Sequence, residues 1–193
     1  MEGSKNLELI ASVATAAEGV VLAQQHRPDL IILDLVLGGR NGLELLAELR
    51  SITPGSRVIV YSALDETFYA QRAFAAGAEG YVMKEAGLLA LEEALRTVTQ
   101  GAPYASDAIK RALLEEAVKG RPATPPLGVA GLSNQELHIF RLIGSGISSS
   151  AIAAQLGISP KTVSTHRERI KTKLGFNTSR ELDRAAEVFF LSK

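Results

Sequence analysis

Between residues 7 and 99, short apolar runs alternate with amphipathic segments of helix length, and this alternation restricts the front of the chain to a parallel sheet covered on both faces. Residues 7–13 read as a strand, 16–25 as a helix and 30–35 as a fully apolar strand introduced by Pro28-Asp29. The pattern continues with helix 43–50, strand 57–61, helix 68–76 ended by Gly77, a short strand 80–83 and helix 88–99. The expected class is α/β, an open doubly wound layer. Residues 107–119 read as one more helix, charged on one side.

The run Gly120-Arg121-Pro122-Ala123-Thr124-Pro125-Pro126-Leu127-Gly128 holds three of the seven prolines and cannot continue a helix. It divides the chain into an α/β domain at 1–119, a linker at 120–131 and a second domain at 132–193. Only helices are expected after it, at 134–145, 149–156, 160–174 and 180–191. Of the 21 Lys and Arg, 9 lie from Leu132 onward against 5 of the 21 acids, leaving 12 basic and 16 acidic residues before it. A polyanionic partner is therefore expected at the tail. The longest apolar runs, such as 30–33 and 58–60, fall far short of the roughly 20 residues a membrane-spanning helix needs, so no membrane role is expected. The first six residues lack the apolar stretch of a secretory signal. With no cysteine there are neither disulfides nor thiolate metal sites, which fits a cytoplasmic location.

In the tail, Ser133 stands three residues before Glu136, the reciprocal arrangement that opens a helix by satisfying its free amides. Leu137, Phe140 and Ile143 then separate from Arg141. A short helix with Ile152, Ala153 and Leu156 on its buried side ends at Gly157. Ser159-Pro160 starts the next helix with a capping hydroxyl and a proline at the first helical position. That helix sets Val163, Ile170 and Leu174 on one side and Lys161, Ser164, Thr165, Arg167 and Lys171 largely on others. A short helix, a tight turn and a longer helix with a basic, hydroxyl-rich face make a helix-turn-helix, whose second helix enters the major groove.

Three segments carry a specific resemblance: Gly146-Ile147-Ser148-Ser149-Ser150-Ala151-Ile152-Ala153, then Leu156-Gly157-Ile158-Ser159-Pro160-Lys161-Thr162-Val163-Ser164-Thr165-His166, then Ile170-Lys171-Thr172-Lys173-Leu174-Gly175. They resemble the LuxR-type DNA-binding domain over residues 132–193. The resemblance implies four helices with the third as reader, a fourth that pairs with a second copy, and homodimers on two half-sites of double-stranded DNA. By chemistry, Lys161, Arg167, Lys171 and Lys173 suit phosphates, and Ser164 and Thr165 suit base edges. Thr162 is expected to bond a phosphate and help cap the helix. His166 is either a groove contact or a packed side chain, the packed alternative being preferred. Glu168, on or near the same face, either accepts from a cytosine amino group or repels phosphate.

In the front domain, the apolar strand ending Leu33-Asp34 places a carboxylate at the carboxyl edge of the sheet, where open α/β sheets bind ligands. Ser62 and Lys84 end two further strands. An acid, a hydroxyl and an ammonium converging there can hold a phosphoryl group, with Asp34 as acceptor and Ser62 and Lys84 bonding its oxygens. The added charge would draw Ser62 inward and change the packing of Tyr81, a switch.

From residue 7 to residue 99 the chain resembles the receiver domain of two-component response regulators, a flavodoxin-like, CheY-like fold phosphorylated by a partner histidine kinase. With the tail it is similar to the LuxR/NarL group. Receivers begin with a strand ending in an acidic pair and a first helix, and none precedes Leu7, so the domain reads as incomplete at its start. That pair normally holds Mg2+, so phosphorylation at Asp34 is expected to be weak, and Asp34 remains the one doubtful metal ligand. Gly38-Gly39 stands where a proline usually follows the acceptor loop. Two regulators therefore fit: one switched by phosphorylation at Asp34, and one with the same DNA site whose receiver serves dimerisation. A third class, a flavodoxin-like enzyme or nucleotide-binding domain, lacks support. There is no GxGxxG or P-loop run, no nucleophile beside a base, and His26, His138 and His166 fit no metal spacing. No catalytic residue is expected.

Overall fold

A computed structural model describes residues 7–37, 40–119 and 128–191. Helix α1 (Ala16–His26) leads into strand β1 (Leu30–Leu33), followed by α2 (Gly42–Ile52), β2 (Arg57–Ser62), α3 (Glu66–Ala75), β3 (Gly80–Met83), α4 (Gly87–Thr99) and α5 (Asp107–Lys119). Short polar residues start the front helices by local bonding. Thr15, Asn41 and Asp65 accept amides in the first turns of α1, α2 and α3, which would otherwise lack partners.

The strands lie in the order β1-β2-β3, all parallel, with Leu33 beside Val60 and Ser62 beside Met83. On one face of the sheet Leu33, Val58, Val60 and Tyr81 pack against Leu45, Leu46 and Leu49 of α2 and Ala70 and Ala73 of α3. On the other, Ile59 and Val82 pack against Ala94 and Val98 of α4. Both faces of β2 and β3 are thus covered, as α/β alternation requires.

One expected strand does not form. Residues 7–13 join no ladder, and Leu7, Leu9 and Ile10 remain 58%, 81% and 53% exposed. Apolar patterning alone does not make a strand, because its amides need a neighbouring edge in register. The free edge of β1, where Ile32 is 49% exposed, carries no strand among the described residues. The apolar run 30–35 likewise yields a strand only to Leu33, where the ladder with β2 ends. The Gly38-Gly39 pair and the greater part of the proline-rich run, 120–127, lie outside the described residues.

The second part is helical: α6 (Asn134–Gly144), α7 (Ser149–Leu156), α8 (Pro160–Leu174) and α9 (Ser179–Leu191) follow a short 3-10 turn at Gly128–Gly131. Ser133 and Glu136 form the reciprocal capping pair that their spacing predicts. Gly157 closes α7 in the left-handed conformation at φ 64°, which turns the chain directly into the Ser159 cap and Pro160 of α8. Leu137, Phe140, Ile152, Val163, Ile170, Leu182 and Ala186 fill the core between the helices. Helices α6 and α9 pack closely at Gly144, where a Cβ would sit 2.5 Å from the Ala186 carbonyl oxygen.

Candidate phosphoacceptor pocket and nucleic-acid interface

The strand register brings three polar residues to one edge of the sheet. Asp34 follows β1, Ser62 ends β2 and Lys84 follows β3. The Ser62 hydroxyl donates to Asp34 Oδ1 at 2.9 Å, and the Val36 amide donates to the same oxygen at 2.9 Å. Lys84 Nζ lies 2.6 Å from Asp34 Oδ2 and 5.9 Å from the Tyr61 ring centroid. Both carboxylate oxygens are thereby engaged. Ser62 is fully buried and already turned toward Asp34. Tyr81 is also inward, 1% exposed, its hydroxyl donating to the Leu64 carbonyl at 2.8 Å. Burial, with Tyr69, Glu66 and Asp34 nearby, raises the Tyr81 phenol well above its ordinary range.

Among the described residues no group of three or more His, Cys, Asp or Glu side chains is placed to hold a metal ion, and one oxygen of Asp34 is paired with an ammonium.

Helix α8 buries Val163 and Ile170 completely. Turned outward are Lys161, Thr162, Ser164, Thr165, Glu168, Arg169, Thr172 and Lys173. Lys161 and Arg169 form no ion pair among the described residues. Arg169 was missed in the sequence reading, although its helical phase beside Thr165 marks it as outward. Thr162 shares a 2.8 Å hydrogen bond with the capping Ser159 hydroxyl. His166 is half-buried, and its Nδ1 is enclosed without a hydrogen-bond partner.

Three cations expected at phosphates are engaged within the protein. Arg167 bonds Asp183 of α9 at 2.6 Å, with its side chain 14% exposed. Lys171 pairs with Glu168 at 2.9 Å. Lys173 bonds the Glu136 carboxylate at 2.6 Å and the Gly131 carbonyl at 3.3 Å, tying α8 to the start of α6. Side chains long enough to reach a phosphate also reach acids one turn along α8, as for Lys171, or on a neighbouring helix, as for Arg167 and Lys173.

Glu136 is itself buried. Burial alone would raise its carboxyl, but the hydrogen bonds from Lys173 and the Ser133 amide outweigh it and hold the group below the usual range. Its ionised form therefore stabilises the fold above the ordinary carboxylate pKa, and that contribution is lost as pH falls through the lowered value. Lys173→Ala leaves this acid without its ammonium. We expect a loss of about 1–3 kcal/mol in urea unfolding, with acid unfolding beginning at higher pH. Unchanged stability with a shallower salt dependence of DNA affinity would instead return Lys173 to the phosphate contacts.

The polar side of α6 faces the front domain. Arg72 of α3 donates to Asn134 Oδ1 at 2.9 Å and to the Ala130 carbonyl at 3.0 Å, and Asn41 donates to Gln135 at 3.3 Å. Phe68 of α3 meets Phe189 of α9 edge to face at 4.9 Å. His138 and Arg141 continue the Asn134 side of α6 by one and two turns. Tyr69 Oη, His138 Nε2 and Arg141 Nε are all buried without a hydrogen-bond partner. Burial, aided by the Arg141 charge, depresses His138 to about 4, and burial pushes Tyr69 up to about 12. A histidine buried neutral contributes stability that is complete above its free value of 6.5 and is lost as pH falls toward 4. Denaturant unfolding between pH 7 and 4 should therefore show a loss of roughly 3 kcal/mol that His138→Gln removes. An identical pH profile in the variant would assign the acid sensitivity elsewhere.

An acid, a hydroxyl and an ammonium bonded at one edge of a parallel α/β sheet, joined to a helix-turn-helix unit, define a receiver-linked regulator. The response regulator receiver domain model matches residues 2–96, and that of bacterial regulatory proteins of the luxR family matches residues 130–186. The nitrate/nitrite response regulator protein homolog of Haemophilus influenzae is 34% identical over 178 residues, covering 92% of this chain and 83% of its own. The oxygen regulatory protein NreC of Staphylococcus epidermidis is 34% identical over 180 residues, covering 88% and 82%. Among solved structures, a LuxR-family two-component response regulator from Aurantimonas aligns with TM-score 0.52 at 30% identity, over 57% of this chain and 79% of that one. RcsB from Salmonella typhimurium shares the fold at TM-score 0.68 and 21% identity, over 90% and 80%. The chain belongs to the LuxR-type response regulators, DNA-binding regulators of transcription.

Proposed function

We propose that this regulator binds double-stranded DNA as a homodimer through the outward face of α8, under the control of a phosphoryl group carried on Asp34. The observation that carries the DNA contact is the division of α8. Val163 and Ile170 are locked into the bundle, while Lys161, Ser164, Thr165 and Arg169 stand together in solvent. Lys161 and Arg169 meet phosphates, and Ser164 and Thr165 face base edges. Lys161→Ala and Arg169→Ala should each lower affinity for all sequences and reduce the slope of log affinity against log salt by about 1. A slope unchanged in both variants would remove α8 from the duplex.

For control, a histidine kinase or a small acyl phosphate supplies the phosphoryl group. An Asp34 oxygen attacks phosphorus, and the bond from phosphorus to the donor breaks, P–N in a phosphohistidine or the bridging P–O in an acyl phosphate, with the leaving group departing with its electron pair. Lys84 and Ser62, which bond Asp34, then bond the new oxygens. A second reading, a phosphorylation-independent regulator, is favoured by the state of Asp34, which already bonds Ser62, Val36 and Lys84. Incubation with acetyl phosphate and Mg2+ separates the two. Stoichiometric labelling lost in Asp34→Ala supports phosphoryl control, and no labelling above that variant supports the second reading.

A further inference from the structure

The outward face of α8 has an acid at its centre. A helix turns about 100° per residue, so the direction opposite Val163 and Ile170 is occupied by Lys161, Thr165, Glu168 and Thr172. The Glu168 side chain is 65% exposed, and its Oε2 is 2.9 Å from Lys171 Nζ. The Lys171 side chain is only 14% exposed, so it lies along the protein and neutralises one oxygen from below. The second oxygen, Oε1, forms no hydrogen bond among the described residues.

The hydroxyls beside Glu168 are already committed as donors. Thr165 Oγ1 donates to the Lys161 carbonyl and Thr172 Oγ1 to the Glu168 carbonyl, each at 3.0 Å. Along the strip Thr165, Glu168 and Thr172 the helix therefore offers methyl groups and acceptor lone pairs, but no side-chain proton. Its donors, Lys161, Ser164 and Arg169, stand around that strip.

An acceptor strip meets the four bases unequally. Guanine shows two acceptors in the major groove, and thymine an acceptor and a methyl group. Adenine shows its amino donor beside the N7 acceptor, which opposes a carboxylate's second oxygen. Cytosine shows an amino donor with no acceptor on the same base. We infer that Glu168 is a specificity residue that accepts a hydrogen bond from the amino group of one cytosine in each half-site, with Lys171 holding the carboxylate in place. The acid also repels phosphate and base acceptors, so it selects by penalising the wrong sequence as well as by rewarding the right one.

This inference rests on α8 being the reading helix, and the experiment separates the two. Full-length protein is used to select duplexes from a random pool, and affinities are then measured for every single-base variant of the enriched site. Cytosine should be preferred about tenfold at one position of each half-site. Glu168→Ala should flatten that position and bind random duplex more tightly, whereas Glu168→Gln, with a donor and an acceptor, should shift the preference to adenine. Both variants should fold, since an exposed ion pair contributes little to stability. Cytosine preference retained in Glu168→Ala, or a uniform gain in affinity with the base ranking intact, overturns the inference. If the wild type enriches no sequence, or Lys161→Ala leaves binding unaltered, the reading helix itself is misassigned.

Discussion

Burial of helix α6 on nearly every side is the constraint on which the rest of this molecule depends. Leu137, Ile139, Phe140, Leu142 and Ile143 are at most 5% exposed, and they hold the packing of α8 and α9. Glu136 at its start anchors Lys173 of α8, and Gly144 at its end admits the backbone of α9. A helix so enclosed fixes the direction in which α8 points. The remaining side of α6 is polar, and it is covered by α2 and α3 of the receiver.

That second contact links the two parts chemically. It buries an imidazole, a phenol and a guanidinium atom without hydrogen-bond partners, each of which carries a desolvation cost. Aromatic contact between Phe68 and Phe189 and the bonds from Arg72 offset part of that cost. Burial lowers the Arg141 guanidinium below its ordinary range, with Tyr69 and Asp34 opposing the shift. An interface built this way is sensitive to charge on either side.

Much of the candidate site was legible in the residues. Asp34, Ser62 and Lys84 end apolar strands, and a parallel register makes strand ends meet. The caps at Ser133 and Ser159 are local contacts, readable from spacing. What was not legible is the use of each cation. Lys161 and Lys173 look alike in sequence, yet one stands in solvent and the other answers a buried acid 37 residues away. Residues 7–13 show the same limit for strands, since their pattern has no record of whether an edge is present to receive them.

The sequence by itself determined the layer architecture, the helix starts, the convergence of an acid, a hydroxyl and an ammonium, and the two-sided character of α8. These follow from periodicity and from bonds spanning a few residues, which any conformation of the neighbouring chain preserves. Only the tertiary structure decided that Arg167 and Lys173 are paired with acids of other helices, and that the polar side of α6 is closed against α3. Those outcomes depend on which surfaces come within hydrogen-bonding distance after packing, a long-range geometry that no local pattern encodes.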